Sequence, residues 1–306
     1  MRRHPLLDGL VDYAGLFPPA SLDLPSALRQ YAGHRGEGAS WMLGHFICPV
    51  GRLEEVLPFG LLFPESSPLS LSLLPGPGPS ASARVRDCVR RFEEFNAEFD
   101  GAAELSVMEL RLPEDSPLES DLLDAAGAAA GREVFVEWNP HLADITDRLT
   151  KVQAVRKRGA ENLGAKIRCG GTEAAAFPSV HDVARFIRLC ALLDIPFKAT
   201  AGLHHPVRHD RDGFTMHGFL NVFGAAVLAR NGMEDQEAVE SIVAERDPAA
   251  FRLTDGGFAW RTHSVSAPQV AAARRMAHAY GSCSFSEPLD DLGSAAWFGF
   301  RPSDTL

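Results

Sequence analysis

The sequence has 306 residues, 40 acidic against 30 basic side chains, a formal charge of −10 and 45% apolar residues. Such a chain lacks the positive face that a phosphate backbone demands, which excludes a basic nucleic-acid module, and it has too much apolar side chain to stay disordered. The length admits one large domain or two ordinary ones.

Apolar runs of strand length alternate with stretches of helical period along the whole chain. Leu10 to Phe17 stops at Pro18-Pro19 and precedes a helical pattern from Pro25 to Ala32. Trp41 to Cys48 precedes Arg52 to Leu57. Leu69 to Leu74 runs through the Gly/Pro/Ser-rich loop Pro75 to Ser82 into a helix from Arg84 to Phe99. Leu105 to Leu112 precedes Glu119 to Ala130, and Glu133 to Trp138 precedes Ile145 to Arg158. Leu163 to Cys169 precedes Val180 to Leu193, and Pro196 to Leu203 precedes Phe214 to Arg230. Phe258 to Ser264 precedes Ala267 to Tyr280, with an extra helical segment from Glu234 to Ala244 before it.

Strand–helix alternation at this spacing predicts βαβ units and a parallel sheet buried on both faces. Eight units are the count for a closed (β/α)8 barrel. The expectation is one such domain over residues 1–284, with a C-terminal tail over 285–306 that carries Pro288, Trp297 and Phe298 and packs on the barrel. A doubly wound open parallel sheet is the alternative, but no GxGxxG follows the first strand.

Five scattered cysteines without a CxxC pair argue against a disulfide framework or a zinc ribbon, and fit a reducing compartment. Asp8 and Asp12 interrupt any apolar leader, and no run reaches the ~18 residues of a membrane span. The expected setting is cytoplasmic, with no membrane partner.

Chemistry in such a barrel sits at the C-terminal ends of the strands, where side chains alternate between the interior and the helix layer. The sixth unit ends Lys166-Ile-Arg-Cys-Gly170-Gly171, and the seventh ends Lys198-Ala-Thr-Ala-Gly202-Leu-His204-His205. Only four of the 30 basic residues are lysine, and two of them occupy these matching places on neighbouring strands. By alternation Lys166 and Arg168 point inward together with Lys198 and Thr200. A spacing of ~4.8 Å between strands then brings two ammonium stems side by side. Their repulsion and burial predict that at least one pKa falls, freeing an amine to attack a carbonyl; the alternative is that each lysine pairs with an interior carboxylate and is structural. Arginine, permanently protonated, cannot do this.

Interior parity on the fourth strand offers Glu109 and Arg111, and the fifth offers Glu137 and Asn139. Glu109 and Glu137 are candidate proton carriers, metal ligands or counter-ions. Arg168 is the better candidate, with Arg111 second, for holding a carboxylate or phosphate. Gly170, Gly171 and Gly202 would let backbone N–H groups approach an anion, or would only turn the chain. His204 and His205 stand at the same end, clustered with His209 and His217; with His45 and either Glu109 or Glu137 they form an alternative metal set, although no HExxH or paired Cys/His spacing supports it. Asp12 and Tyr13 are lesser candidates for lining the site.

Paired lysines on the sixth and seventh strands, each running into a Gly-containing loop, resemble the class I aldolases of the deoxyribose-phosphate aldolase type. The resemblance implies a (β/α)8 barrel in which Lys166 forms a Schiff base, Lys198 lowers its pKa, and an acidic residue from an earlier strand relays protons. It covers the sixth and seventh units only. The family's hydroxyl-rich turn after the sixth-strand lysine is here Arg168-Cys169-Gly170, and its Gly-Gly phosphate loop is here Gly202-Leu-His204-His205.

Three functions follow as expectations. The first is a Schiff-base lyase or aldolase acting on a small anionic carbonyl compound without a cofactor, using Lys166, Lys198, Glu137 and Glu109. The second is a divalent-metal lyase or hydrolase built on the glutamates and histidines. The third is an anion-binding barrel without turnover. The apolar Leu16-Phe17-Pro18-Pro19 loop and the Trp297-Phe298 tail suit the interface of a homo-oligomer and a lid equally.

Overall fold

The structure, a computed structural model, describes residues 3–112, 118–138, 144–211 and 213–294. In chain order the first half comprises β1 (Val11–Tyr13), α1 (Leu24–Arg35), β2 (Leu43–Pro49), a 3-10 stretch (Val50–Leu62), β3 (Leu69–Leu74), α2 (Ala81–Glu98), β4 (Ala103–Arg111), α3 (Leu118–Ala128), β5 (Glu133–Trp138) and α4 (Ile145–Lys157). The second half begins with β6 (Leu163–Arg168), α5 (Val180–Leu193), β7 (Phe197–Thr200), the hairpin β8–β9 (His209–Arg211, Phe214–Met216), α6 (Phe219–Arg230) and α7 (Gln236–Ala244). It ends with β10 (Phe251–Thr254), β11 (Gly257–Trp260), β12 (His263–Ser266), α8 (Ala267–Arg274), β13 (Ala277–Ser282) and α9 (Ser286–Ser294).

Eight parallel strands close into a barrel in the order β1-β13-β7-β6-β5-β4-β3-β2. The expected (β/α)8 architecture is therefore observed, and the open-sheet alternative is not. Ile167, Cys169 and Ala199 are buried against the helix layer, as alternation requires for strands covered on both faces. Helix starts carry chemical stops: Ser80 accepts from the Ala83 amide ahead of α2, and Ser179 with Asp182 forms a capping box on α5. Among the described residues no helix is long and apolar enough to cross a membrane.

The eighth strand differs from the sequence expectation. Phe258–Ser264 falls in an antiparallel three-stranded sheet, β10-β11-β12, outside the barrel. The strand that closes the barrel is β13, inside the segment expected as the helix Ala267 to Tyr280. Its Ala277-His-Ala-Tyr sequence carries the strongest helix-forming residue, so local propensity masks a strand that burial imposes. Two further shifts are smaller: a 3-10 stretch, not an α-helix, follows β2, and α6 begins only after Gly218 because Phe214–Met216 belongs to a hairpin. Of the expected tail, 286–294 forms α9, and Trp297 and Phe298 lie outside the described residues.

Candidate active site

The interior alternation places Asp12 (β1), His45 (β2), Ser72 (β3), Glu109 (β4), Glu137 (β5), Lys166 and Arg168 (β6) and Lys198 (β7) in one continuous polar ladder. Register sets it: Glu137 pairs with Lys166, Lys166 with Lys198, and Arg168 with Thr200 across neighbouring strands.

Lys198 Nζ lies 2.5 Å from Asp12 Oδ2 and 2.7 Å from Glu109 Oε1. Lys166 Nζ lies 2.6 Å from Glu109 Oε2 and 2.8 Å from Glu137 Oε2. The Arg168 guanidinium donates to Glu137 Oε1 through Nε (3.1 Å) and Nη2 (3.0 Å). Ser72 Oγ donates to Glu109 Oε1 at 2.9 Å. At the other end Asp12 Oδ1 accepts from the His45 amide (2.6 Å) and meets His45 Nδ1 at 3.0 Å. Gly44 is required for this: a Cβ there would stand 2.2 Å from Asp12 Oδ1. Three carboxylates thus face three fixed cations, so the ladder is neutral when His45 is uncharged, and each carboxylate uses both oxygens.

Burial alone would neutralise these groups, but the partners outweigh it. Burial pushes Glu109 up, yet Lys166 and Lys198 together hold it at about 2. Against its own burial, Asp12 is held well below the usual carboxylate range, chiefly by Lys198 and then by His45. Burial also opposes the charge on Glu137, and Lys166 followed by Arg168 brings it below its ordinary value. Both ammonium groups are raised: burial would lower Lys166, but Glu109 and Glu137 overcome it, and Asp12 and Glu109 do the same for Lys198.

This corrects the expectation that one lysine pKa falls. The two amines are not bare neighbours, because Glu109 binds both and screens each from the other. Lys198 therefore does not act on Lys166 as the tuning cation that the aldolase resemblance implies; it holds Asp12 and Glu109 ionised.

Other expected residues are placed elsewhere. Arg111 is exposed at the end of β4, and its carbonyl accepts from Arg84 Nη1. Asn139 lies outside the described residues. Thr200 is half-buried beside Arg168, at the mouth as expected. Gly170 and Gly202 are explained by packing: a Cβ on Gly170 would stand 2.8 Å from Gly202 Cα, and Gly202 has φ +71° with Cys169 O 2.8 Å from its would-be Cβ. Likewise a Cβ on Gly171 would press on Ala176 at 2.7 Å.

His204 and His205 face α9 instead of the glutamates. His204 Nδ1 lies 3.2 Å from Glu287 Oε2, and His205 Nδ1 lies 2.5 Å from Asp291 Oδ2 while its Nε2 accepts from Arg211 Nη1 at 2.8 Å. The expected metal set of Glu109 or Glu137 with His45, His204, His205, His209 and His217 is thus not assembled. Among the described residues no group of three or more His, Cys, Asp or Glu side chains is arranged to hold a metal ion.

Asp12 and His45 deserve more weight than sequence reasoning gave them, and Ser72 was missed. The signals existed: Asp12 is a lone carboxylate inside an apolar run, and Leu69-Ser-Leu-Ser-Leu alternates at period two, with its serines on the interior parity.

No protein-family model matches the sequence, and no curated protein matches it significantly. Among solved structures, a monomeric dihydrodipicolinate synthase variant is similar at 11% identity and a TM-score of 0.41, covering 79% of this chain and 80% of that one. Active domain 2 of a chitinase from Pyrococcus furiosus is similar at 9% identity and a TM-score of 0.36, covering 74% of this chain and 98% of that one. At those values neither match bears on activity. The closed barrel rests on its own strand pairing.

Proposed function

We propose that this barrel is an enzyme of Schiff-base lyase or aldolase type, acting at its C-terminal mouth on a small carbonyl compound that carries a carboxylate or phosphate. One observation carries the reading: Glu137 is shared between Lys166, on one oxygen, and Arg168, on the other. The Arg168 side chain is 42% exposed, whereas Lys166 is 6% exposed, so an incoming anion meets Arg168 first.

An anion that draws Arg168 away removes one of the two cations that keep Glu137 ionised. The Glu137 pKa then rises toward that of Lys166, and the carboxylate can take a proton from the ammonium. The neutral amine attacks the carbonyl carbon, and loss of water gives the iminium. The Glu137 carboxylate, its proton having left with that water, takes the proton of the substrate's β-hydroxyl; the β-carbon departs as an aldehyde or ketone while the Cα–Cβ electron pair moves into the iminium as an enamine. The proton returns to Cα, and water hydrolyses the resulting iminium to release the second carbonyl product and the Lys166 ammonium. Glu109 stays ionised between the two lysines and positions Lys166. The resting pairing then serves as a lock that keeps the amine protonated until substrate anion arrives.

Borohydride trapping tests this. Pyruvate and small aldehyde phosphates should give a reduced adduct mapped by mass spectrometry to Lys166, abolished in Lys166→Met and strongly reduced in Arg168→Gln. A folded protein that yields no adduct on Lys166 with any of these compounds overturns the mechanism. The full pairing of both lysines favours one other reading, an anion-binding barrel without turnover. Its signature is a rise in melting temperature with anion, unchanged in Lys166→Met and unaccompanied by any adduct.

A further inference from the structure

The Asp12–His45 end of the ladder reaches a second opening, on the β2–β3 side of the barrel. Strands β2 and β3 pair from Phe46↔Leu71 onward. Below that level Leu43, Gly44 and His45 line a gap together with Ser70, and the Tyr31 hydroxyl donates to the Gly44 carbonyl at 2.8 Å. The gap is a pocket of about 330 Å³, at the small end of ordinary ligand sites. We propose that it is a binding site for a small molecule bearing a phosphate or carboxylate group, separate from the mouth.

The lining chemistry points one way. Arg35 and His45 are in it, with the hydroxyls of Ser40 and Ser70, and no aspartate or glutamate is among its lining residues. Arg35 is held in place by stacking: its guanidinium carbon lies 5.9 Å from the Tyr31 ring centroid and 5.6 Å from that of Phe63, and Nη2 donates to Ser67 Oγ. Among the described residues it has no carboxylate partner, so its charge is left for a ligand. His45 is oriented from behind. Its Nδ1 is engaged by Asp12, which leaves Nε2 available to a ligand in the pocket that the residue lines. With Nδ1–H donating to the carboxylate, Nε2 accepts from the protonated oxygen of hydrogen phosphate while Arg35 and the serine hydroxyls donate to the other oxygens. Because Asp12 also binds Lys198, a ligand here touches the same ladder that runs through Lys166 to Arg168.

This site stands independently of the Schiff-base reading, and its test reads binding alone. Isothermal titration with inorganic phosphate and, separately, with acetate is run on the full chain in an Arg168→Gln background, so that the mouth does not contribute. One saturable site per chain is expected, with the preferred anion distinguishing a phosphate-bearing from a carboxylate-bearing ligand. Arg35→Gln should weaken binding about tenfold or more, the consequence of losing a charge-assisted contact. Ser70→Asp, which adds negative charge to the lining and leaves the Arg35 stacking alone, should do the same; it decides the matter if Arg35→Gln fails to fold. The His45 ring resonances should shift on titration. Absence of saturable binding by either anion, or binding unaffected by Ser70→Asp, overturns the proposal.

Discussion

The two lysines mark two halves of one ladder that obey different rules. Lys198, with Asp12 and Glu109, is sealed: its side chain is 1% exposed, and those of its two carboxylate partners are 0% and 2% exposed. Lys166 leads outward through Glu137, which is 11% exposed, to the half-exposed Arg168. The same residue types form the same kinds of bond in both halves, yet only the outer half can exchange a protein partner for a solute. Buried ion pairs owe their persistence to mutual satisfaction, since removing one member leaves an uncompensated charge in a poorly polarisable interior. Near the mouth, water and ligands can take over the missing partner, so the same removal is mild in energy and direct in function.

Four experiments probe that contrast, beginning with the largest effect. Lys198→Met should cost roughly 3–5 kcal/mol in denaturant unfolding, because it strands Asp12 and one side of Glu109; a cost below about 1 kcal/mol would mean the inner half is not sealed. Acid titration of stability comes next. Glu109 is depressed from 4.5 to about 2 in the folded barrel, so its contribution is present above about pH 4.5 and is lost as the pH falls through that interval toward 2. Asp12, also depressed, adds to the loss at still lower pH. A stability curve flat from pH 5 to 2 would contradict this. Lys198 is raised, so its share is complete below its ordinary value of 10.5 and fades only as pH climbs above it.

Glu137→Gln should be milder, about 1–3 kcal/mol, since Lys166 keeps Glu109 and Arg168 turns to water. Borohydride adduct formation should nonetheless be lost, because the proton acceptor is gone. Arg168→Gln should be mildest in stability, below ~1 kcal/mol, given its exposure. Its effect should appear as weakened capture of anionic carbonyl compounds and little change for neutral ones. A stability loss equal to that of Lys198→Met would erase the distinction between the halves.

Much of the barrel was legible because period-two and period-3.6 apolar patterns are local: β3 and β5 fall where their patterns predict, and Lys166, Arg168 and Lys198 share the interior face that alternation assigns them. The closing strand was not legible, because Ala277–Tyr280 reads locally as helix and becomes strand only by filling the last gap between β7 and β1. The glycines of the sixth and seventh units were visible, but their close mutual approach was not, since packing of two loops leaves the same residue type as an anion cradle.

By itself the sequence determined which side chains enter the barrel, since parity along a strand needs no knowledge of its neighbours. It could not say which of them meet. The partners of Lys198 come from β1 and β4, 186 and 89 positions away along the chain, and that distance is bridged only when the sheet closes. Closure also decided the sign of the lysine pKa shifts. Two buried ammonium groups alone would lose protons; with Glu109 between them and Asp12 and Glu137 outside, they hold them, because at contact distance opposite charge outweighs both desolvation and like-charge repulsion.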